Sequence, residues 1–124
     1  MKLELKHLSP YLPYSLKYLY NDEILELDGL DVNGDAFNCD MGETPFENIK
    51  PILRPLSFFK GNIIREIRIE LDLTHNQTME FLGFIDGEIQ LQNISYGLFL
   101  SMCKNHIDFN NLIPAGLAID INTL

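Results

Sequence analysis

A β-hairpin is predicted by the stretch Asp31-Val32-Asn33-Gly34-Asp35-Ala36-Phe37, which lies in the first third of the chain. An Asn-Gly pair accepts positive φ at both central positions of a tight turn at little steric cost. The apolar residues Ile24, Leu25, Leu27 and Leu30 come before the pair and predict one strand. A further strand is predicted after the pair, from Ala36 to Met41. We therefore expect antiparallel strands here, on which the rest of the domain is built.

Further strands are predicted on either side of this hairpin. Tyr14 to Tyr20 precedes it as a strand, and the prolines near the N-terminus stop any long helix there. A strand between Pro51 and Pro55 fits only at a sheet edge, because proline lacks the N–H that an inner strand needs. From Glu66 to Leu73 apolar and charged residues alternate, which predicts a strand with a buried face. That face consists of Ile67, Ile69, Leu71 and Leu73, so Ile69→Asp is expected to unfold the domain.

Helices are predicted in the second half of the chain. Thr74 and Gln77 form the pattern of a capping box, which begins a short helix that ends near Asp86-Gly87. Apolar residues recur at helical spacing from Ser95 to Asn105, and Ile107 to Ile113 extends that helix or forms another turn. Short strands are expected at Glu88 to Gln92 and, as the terminal strand, at Leu117 to Ile121.

This order of elements indicates an α+β fold. It places antiparallel strands in the first half, one or two helices toward the C-terminus and a short terminal strand at the end. The 124 residues fit a single globular domain that covers residues 1–124.

The charge is strongly acidic and unevenly spread. The formal net charge is −9, and residues 21–47 carry nine acids without one Lys or Arg. Residues 48–68 carry five basic residues against one acid. An acidic chain repels phosphates, so binding to nucleic acid is disfavoured. The acidic segment either attracts a basic protein partner or only keeps the protein soluble.

Composition also bears on the compartment. No apolar run approaches the roughly 18–20 residues that span a bilayer, and no signal peptide is recognised, so we expect a cytoplasmic protein without membrane association. Cys39 and Cys103 stand far apart and form no metal or redox motif. We expect both to be reduced and to pack as small buried hydrophobes.

Metal and cofactor motifs are weak or lacking. Asp31, Asn33 and Asp35 have the spacing that opens a calcium loop, but Ala36 stands where that loop needs glycine, and Glu43 comes one residue late. The three histidines form no metal pair, and no nucleotide or nucleophile motif occurs. We expect no metal, no specific calcium binding and no cofactor.

A few residues remain as candidate binding residues. His106-Ile107-Asp108 could hold an imidazole oriented by a carboxylate, or could simply end a helix. Tyr11 and Tyr14 belong to an aromatic cluster with Tyr18 and Tyr20, which suits either the core or an interface with a partner.

Three segments of the chain resemble a family of small uncharacterised proteins found among phage and prophage genes of Bacteroidetes. The segments are Leu8 to Tyr14, Lys50 to Ser57, and His106-Ile107-Asp108-Phe109 with the following Leu112 to Asn122. The resemblance implies a bacterial or phage cytoplasmic origin and carries no activity. Its polar members Arg54, His106 and Asp108 join Tyr11 and Tyr14 as candidate binding residues.

The leading hypothesis is a phage- or prophage-associated accessory protein that is not an enzyme and acts by binding another protein. One alternative is a small enzyme that uses His106 and Asp108. A second alternative is an acidic decoy that imitates nucleic acid and occupies a nucleic-acid-binding protein.

Overall fold

The structure is a computed structural model that describes residues 2–124, and it confirms the α+β class. Strands lie mostly in the first half, helices follow, and a short strand lies near the end. The strands are β1 Lys17–Tyr20, β2 Glu23–Glu26, β3 Gly29–Leu30, β4 Asp35–Asn38, β5 Gly42–Pro45, β6 Lys50–Leu53 and β7 Ile119–Asp120. The α-helices are α1 Leu5–Leu8, α2 Ile64–Glu70, α3 His75–Ile85 and α4 Tyr96–Lys104. Short 3-10 helices lie at Ser9–Tyr14, Phe46–Asn48, Leu56–Phe59, Leu91–Asn93 and Ile121–Thr123.

The strands form two sheets. One has four strands in the order β2-β1-β6-β7, in which β6 and β7 run parallel and the other pairs are antiparallel. The other is the antiparallel sheet β3-β4-β5. One hydrophobic cluster joins residues from both sheets and all four α-helices: Leu8, Tyr18, Ala36, Leu53, Ile67, Phe81 and Leu98 are among its members.

The predicted hairpin is confirmed as β3 and β4, with a turn that differs in detail. Gly34 N donates to Asp31 O at 3.1 Å, and Asp31 N donates to Asp35 O at 2.8 Å. Positive φ is adopted by Gly34 (96°) and not by Asn33, so one left-handed residue is enough to reverse the chain. The strand expected to reach Met41 ends at Asn38, whose side-chain oxygen accepts from Asp40 N and Met41 N and starts the next turn.

The strand predicted at Glu66 to Leu73 is wrong, because most of this segment is helix α2. A helix buries Ile67 and Leu71, which are four positions apart, and turns Ile69 outward, where it is 68% exposed. The Arg and Glu residues between the isoleucines favour a helix. Packing of this segment against α3 selects the helix over the strand. Ile69→Asp is therefore not expected to unfold the protein.

Three smaller expectations also need correction. The strand that begins at Lys50 is an inner strand, because Lys50 and Pro51 pair with β1 while Ile52 and Leu53 pair with β7. The two ladders thus use different halves of β6, and pairing with β7 begins after the proline. The strand expected at Glu88 to Gln92 is absent from the described residues, where the 3-10 turn Leu91–Asn93 begins instead. The helix does not continue past Asn105, since His106 adopts a left-handed φ of 55°.

Both predicted helices are confirmed. Thr74 Oγ1 accepts from Gln77 N, and Gln77 Oε1 accepts from Thr74 N, which is the capping box of α3. Ser95 caps α4 by accepting from Leu98 N. No helix formed by residues 2–124 has the length and apolar character that a membrane crossing requires.

Both cysteines are free, as expected, but only one of them is buried. Cys103 packs in the core, where burial raises its pKa to about 11. Cys39 is exposed, contrary to the expectation that it packs as a buried hydrophobe. It lies in the turn after β4, and hydrogen bonding to the neighbouring Asp28 carboxylate raises the pKa of its thiol.

Candidate functional site

The five candidate residues surround one place in the fold, which we call the junction. The junction joins three segments: the 3-10 helix Ser9–Tyr14, the end of β6 at Arg54, and residues 106–113 after α4. Backbone hydrogen bonds hold the last two together, because Arg54 N donates to His106 O at 2.8 Å and Asp108 N donates to Arg54 O at 2.9 Å. Arg54 and Ile107 thereby form an isolated parallel bridge.

Tyr11 ties the N-terminal segment to the junction. Its ring is fully buried and stacks on Phe109 with 5.2 Å between the ring centroids. Its hydroxyl donates to the backbone oxygen of Ile107. Burial, followed by the nearby charge of Asp108, raises the pKa of Tyr11 far above its usual value, so the phenol remains protonated and donates. Tyr11 has no surface left with which to contact a ligand in this conformation.

His106 and Tyr14 make the second contact between the same segments. The His106 Nε2–H donates to Tyr14 O at 2.6 Å, and the rings of His106 and Tyr11 are T-shaped with 6.5 Å between their centroids. Both His106 and Tyr14 are half-buried. The imidazole therefore uses one nitrogen to hold the chain, and the backbone of Tyr14, rather than its phenol, accepts this bond.

Asp108 organises the loop that follows. Its side chain is 2% exposed, and its two carboxylate oxygens accept from Leu112 N at 2.8 Å and Ile113 N at 2.9 Å. Burial raises the pKa of Asp108, while the two backbone donors act in the opposite direction. His106 and Asp108 direct their hydrogen bonds to backbone groups and not to each other, so they do not form an acid–base pair.

Arg54 sends its side chain away from the other four residues. Its guanidinium forms an ion pair with Glu70 of α2 and lies over Phe58 and Phe59, at 5.7 and 5.2 Å from the ring centroids. It is largely shielded from solvent. The sequence did not predict the ion pair between Glu70 and Arg54. The alternating pattern placed Glu70 on the exposed face of a strand, and nothing in it indicated Arg54 as a partner.

A cavity of about 560 Å³ lies beside the junction. Its walls come from the 3-10 helix Leu56–Phe59, the end of α3 and the loop from Asp108 to Asp120. Two residues of opposite charge, Lys60 and Asp120, are among those that line it. Neither residue stood out in the sequence, since each looked like an ordinary surface charge beside apolar neighbours.

The outer face of the three-stranded sheet is the second candidate region. Asp35 and Phe37 share this face with Glu43 and Pro45, because Phe37 pairs with Glu43 and Asp35 pairs with Pro45. The adjoining turn adds Asp31, so that the carboxylate oxygens of Asp31, Asp35 and Glu43 lie within 4.8 Å of one another. We call these residues the acidic face: Asp31, Asp35, Phe37, Glu43 and Pro45.

The acidic face differs from the calcium loop considered in the sequence, whose ligands would be Asp31, Asn33 and Asp35. Asn33 is not part of the cluster, and Glu43 reaches it from β5. Clusters of this kind are common on exposed acidic surfaces without a bound ion. The absence of specific calcium binding therefore stays a prediction.

The chain was compared with family models, curated proteins and solved structures, and nothing matched in any of the three comparisons.

Proposed function

We propose that this protein is a phage- or prophage-associated accessory protein that binds a basic protein partner through its acidic face and is not an enzyme. The phage association rests on the three sequence segments described above. The mode of action rests on one structural observation: a group of like charges at the surface forms no ion pair within residues 2–124.

The charge pattern supports this proposal. All nine carboxylates of residues 21–47 belong to exposed or half-buried residues. The two ion pairs formed by residues 2–124 join Lys6 to Glu4 and Arg54 to Glu70, so neither involves these nine groups. Three of the nine are clustered on the acidic face, where they repel one another. A Lys or Arg side chain of a partner would relieve that repulsion.

Exposed apolar side chains in the same segment give the partner a surface to bury. Phe37 is 42% exposed in the middle of the acidic face. Within residues 21–47, Ile24, Val32 and Met41 are also exposed. Charges mainly set the rate and specificity of association, whereas buried apolar side chains supply most of the affinity. The segment combines both.

The enzyme alternative has less support. An acid–base mechanism needs two groups that reach the same substrate atom. Asp108 is almost fully buried with both oxygens engaged, and the hydrogen bond of His106 goes to a backbone oxygen.

The decoy alternative shares the charge pattern of the leading proposal and differs only in the nature of the partner.

Capture of partners from a lysate of a Bacteroidetes host tests the proposal. Wild type is compared with a triple variant of the acidic face, Asp31→Asn, Asp35→Asn and Glu43→Gln, at about 0.1 M and about 1 M salt. The Debye length falls from about 10 Å to about 3 Å between these conditions. We expect wild type to retain a basic protein at low salt only, and the triple variant to lose it.

A second triple variant provides the control, because it removes the same charge elsewhere. Glu66→Gln, Asp86→Asn and Glu88→Gln change exposed acids outside residues 21–47. This control should capture the partner like wild type. Capture that ignores both salt and the acidic-face variant would contradict the proposal. A captured protein that duplex DNA displaces would identify the decoy alternative.

A further inference from the structure

The cavity beside the junction is large enough for a small molecule, and it shares no lining residue with the acidic face. Its volume of about 560 Å³ falls within the roughly 300–1,000 Å³ that ligand pockets usually have. Most of its wall is apolar, with Leu56, Phe84, Ile85, Phe109 and Ile113 contributing side chains. An apolar wall of this kind gains from covering an apolar ligand group.

Two residues of opposite charge in the cavity wall form no ion pair within residues 2–124. Lys60 follows the 3-10 helix Leu56–Phe59 and forms no ion pair with any residue from 2 to 124. Asp120 lies at the end of β7, and its Oδ1 accepts from the backbone and side-chain nitrogens of Asn122. Its Oδ2 receives no hydrogen bond from residues 2–124. Lys60 and Asp120 therefore offer one donor group and one acceptor group to a ligand.

Asp108 also lines the cavity but has a different part in it. Both of its oxygens accept from backbone N–H groups of the loop, so its carboxylate is already satisfied. These bonds fix the loop that carries Ile113 and thereby fix one wall of the cavity. The junction thus shapes the cavity without supplying the groups that a ligand would contact.

We propose that this cavity binds a small zwitterion with an apolar side chain, such as an apolar α-amino acid. The ligand carboxylate would pair with Lys60, the ligand ammonium with Asp120, and the side chain would pack on the apolar wall. Each charge of the ligand then meets an opposite charge that forms no ion pair within residues 2–124. A neutral apolar molecule would leave both protein charges unmatched, and a simple ion would leave the apolar wall uncovered.

Calorimetric titration with three related probes tests the proposal: L-phenylalanine, N-acetyl-L-phenylalanine, which lacks the ammonium group, and L-phenylalanine amide, which lacks the carboxylate. We expect saturable binding of one L-phenylalanine per chain. Loss of a charged hydrogen-bonding partner costs a factor of about ten or more in affinity. Both modified probes should therefore bind at least about tenfold more weakly.

Two variants connect each ligand charge to its protein partner. Lys60→Gln should weaken L-phenylalanine about tenfold and leave L-phenylalanine amide unchanged. Asp120→Asn keeps an oxygen for Asn122 N, so it should weaken L-phenylalanine by a similar factor and leave N-acetyl-L-phenylalanine unchanged. Lys104→Gln and Asp72→Asn make the same charge changes outside the cavity wall and should alter nothing.

A filling variant tests the location independently of charge. Ser57 is exposed and lines the cavity, so Ser57→Trp should block binding while circular dichroism shows an unchanged fold. Lack of saturation with L-phenylalanine up to about 10 mM would overturn the proposal. Equal effects of the cavity variants and their controls would also overturn it. Neither result depends on capture through the acidic face.

Discussion

In the junction, Asp108 and Tyr11 are almost fully buried, and their side-chain oxygens bond to backbone groups of the same chain. On the acidic face, Asp31, Asp35 and Glu43 lie together without an ion-pair partner in residues 2–124. Both regions are rich in polar groups. The junction satisfies its groups by hydrogen bonds within the chain, whereas the carboxylates of the acidic face form no ion pair within residues 2–124. A polar group that its own chain satisfies stabilises the fold, whereas one left unmatched is available to a partner.

The largest expected effect comes from removing the carboxylate of Asp108. Asp108→Ala leaves two backbone N–H groups without their acceptor, and each such loss costs about 1–3 kcal/mol. We expect the free energy of unfolding to fall by about 2–6 kcal/mol, measured by urea denaturation. Asp108→Asn keeps one acceptor oxygen and should lose less. An unchanged urea midpoint for Asp108→Ala would break the contrast between the two regions.

The pH dependence of the stability of wild type and of Asp108→Asn provides a second test of the role of Asp108. Burial raises the folded-state pKa of Asp108 above its ordinary value of 3.8, so the folded chain binds this proton more tightly than the unfolded chain. Stability from this group is therefore greatest below the ordinary pKa and falls as pH rises through the raised pKa. The advantage of wild type over Asp108→Asn should widen as pH is lowered through this range. If this difference in the free energy of unfolding narrowed as the pH was lowered, the pKa of Asp108 would not be raised in the folded protein.

Removing the hydroxyl of Tyr11 should have a smaller effect. Tyr11→Phe keeps the stack on Phe109 but removes the donor to Ile107 O. We expect a loss of about 1–2 kcal/mol in the free energy of unfolding. Tyr96 is 74% exposed, so Tyr96→Phe serves as the matched control and should change little. Equal urea midpoints for the two variants would show that the hydroxyl contributes nothing to the junction.

Local signals in the sequence were sufficient for several elements of the fold. The capping box at Thr74 and Gln77 and the Asn33-Gly34 turn depend on residues only a few positions apart. The alternation at Glu66 to Leu73 predicted a strand, but Ile67 and Leu71 are four positions apart and also fall on one face of a helix. Packing against α3 decided it, and that contact is not local.

The candidate sites were accessible from the sequence only in part. Tyr11, Arg54, His106 and Asp108 were selected by residue type and by the resemblance, and the structure brings their segments together. The parallel bridge between Arg54 and Ile107 could not be foreseen, because it joins distant segments through backbone atoms. The acidic segment was evident from its composition. Its clustering depends on the register of β4 and β5, which brings Glu43 beside Phe37.

The smallest expected effect, and the one with the opposite sign, concerns the acidic face. Asp35 and Glu43 lie within reach of Asp31, so neutralising them removes repulsion and breaks no ion pair. The variant Asp31→Asn, Asp35→Asn and Glu43→Gln keeps every side chain close to its original shape. Asn at position 31 retains the oxygen that accepts from Asn33 N. We expect the free energy of unfolding to stay the same or rise by roughly 0.5 kcal/mol at low salt, because like charges side by side destabilise a sheet.

Salt distinguishes this cause from a general effect of the substitutions. Repulsion between exposed charges is screened at about 1 M salt, so the gain of the triple variant should vanish there. The control with Glu66→Gln, Asp86→Asn and Glu88→Gln should show a smaller gain at low salt, because only the acidic-face acids form the described cluster. A loss of stability in the acidic-face variant would mean that these carboxylates support the fold as Asp108 does. The junction and the acidic face would then both stabilise the fold, and the proposal that the acidic face binds a partner would lose its support.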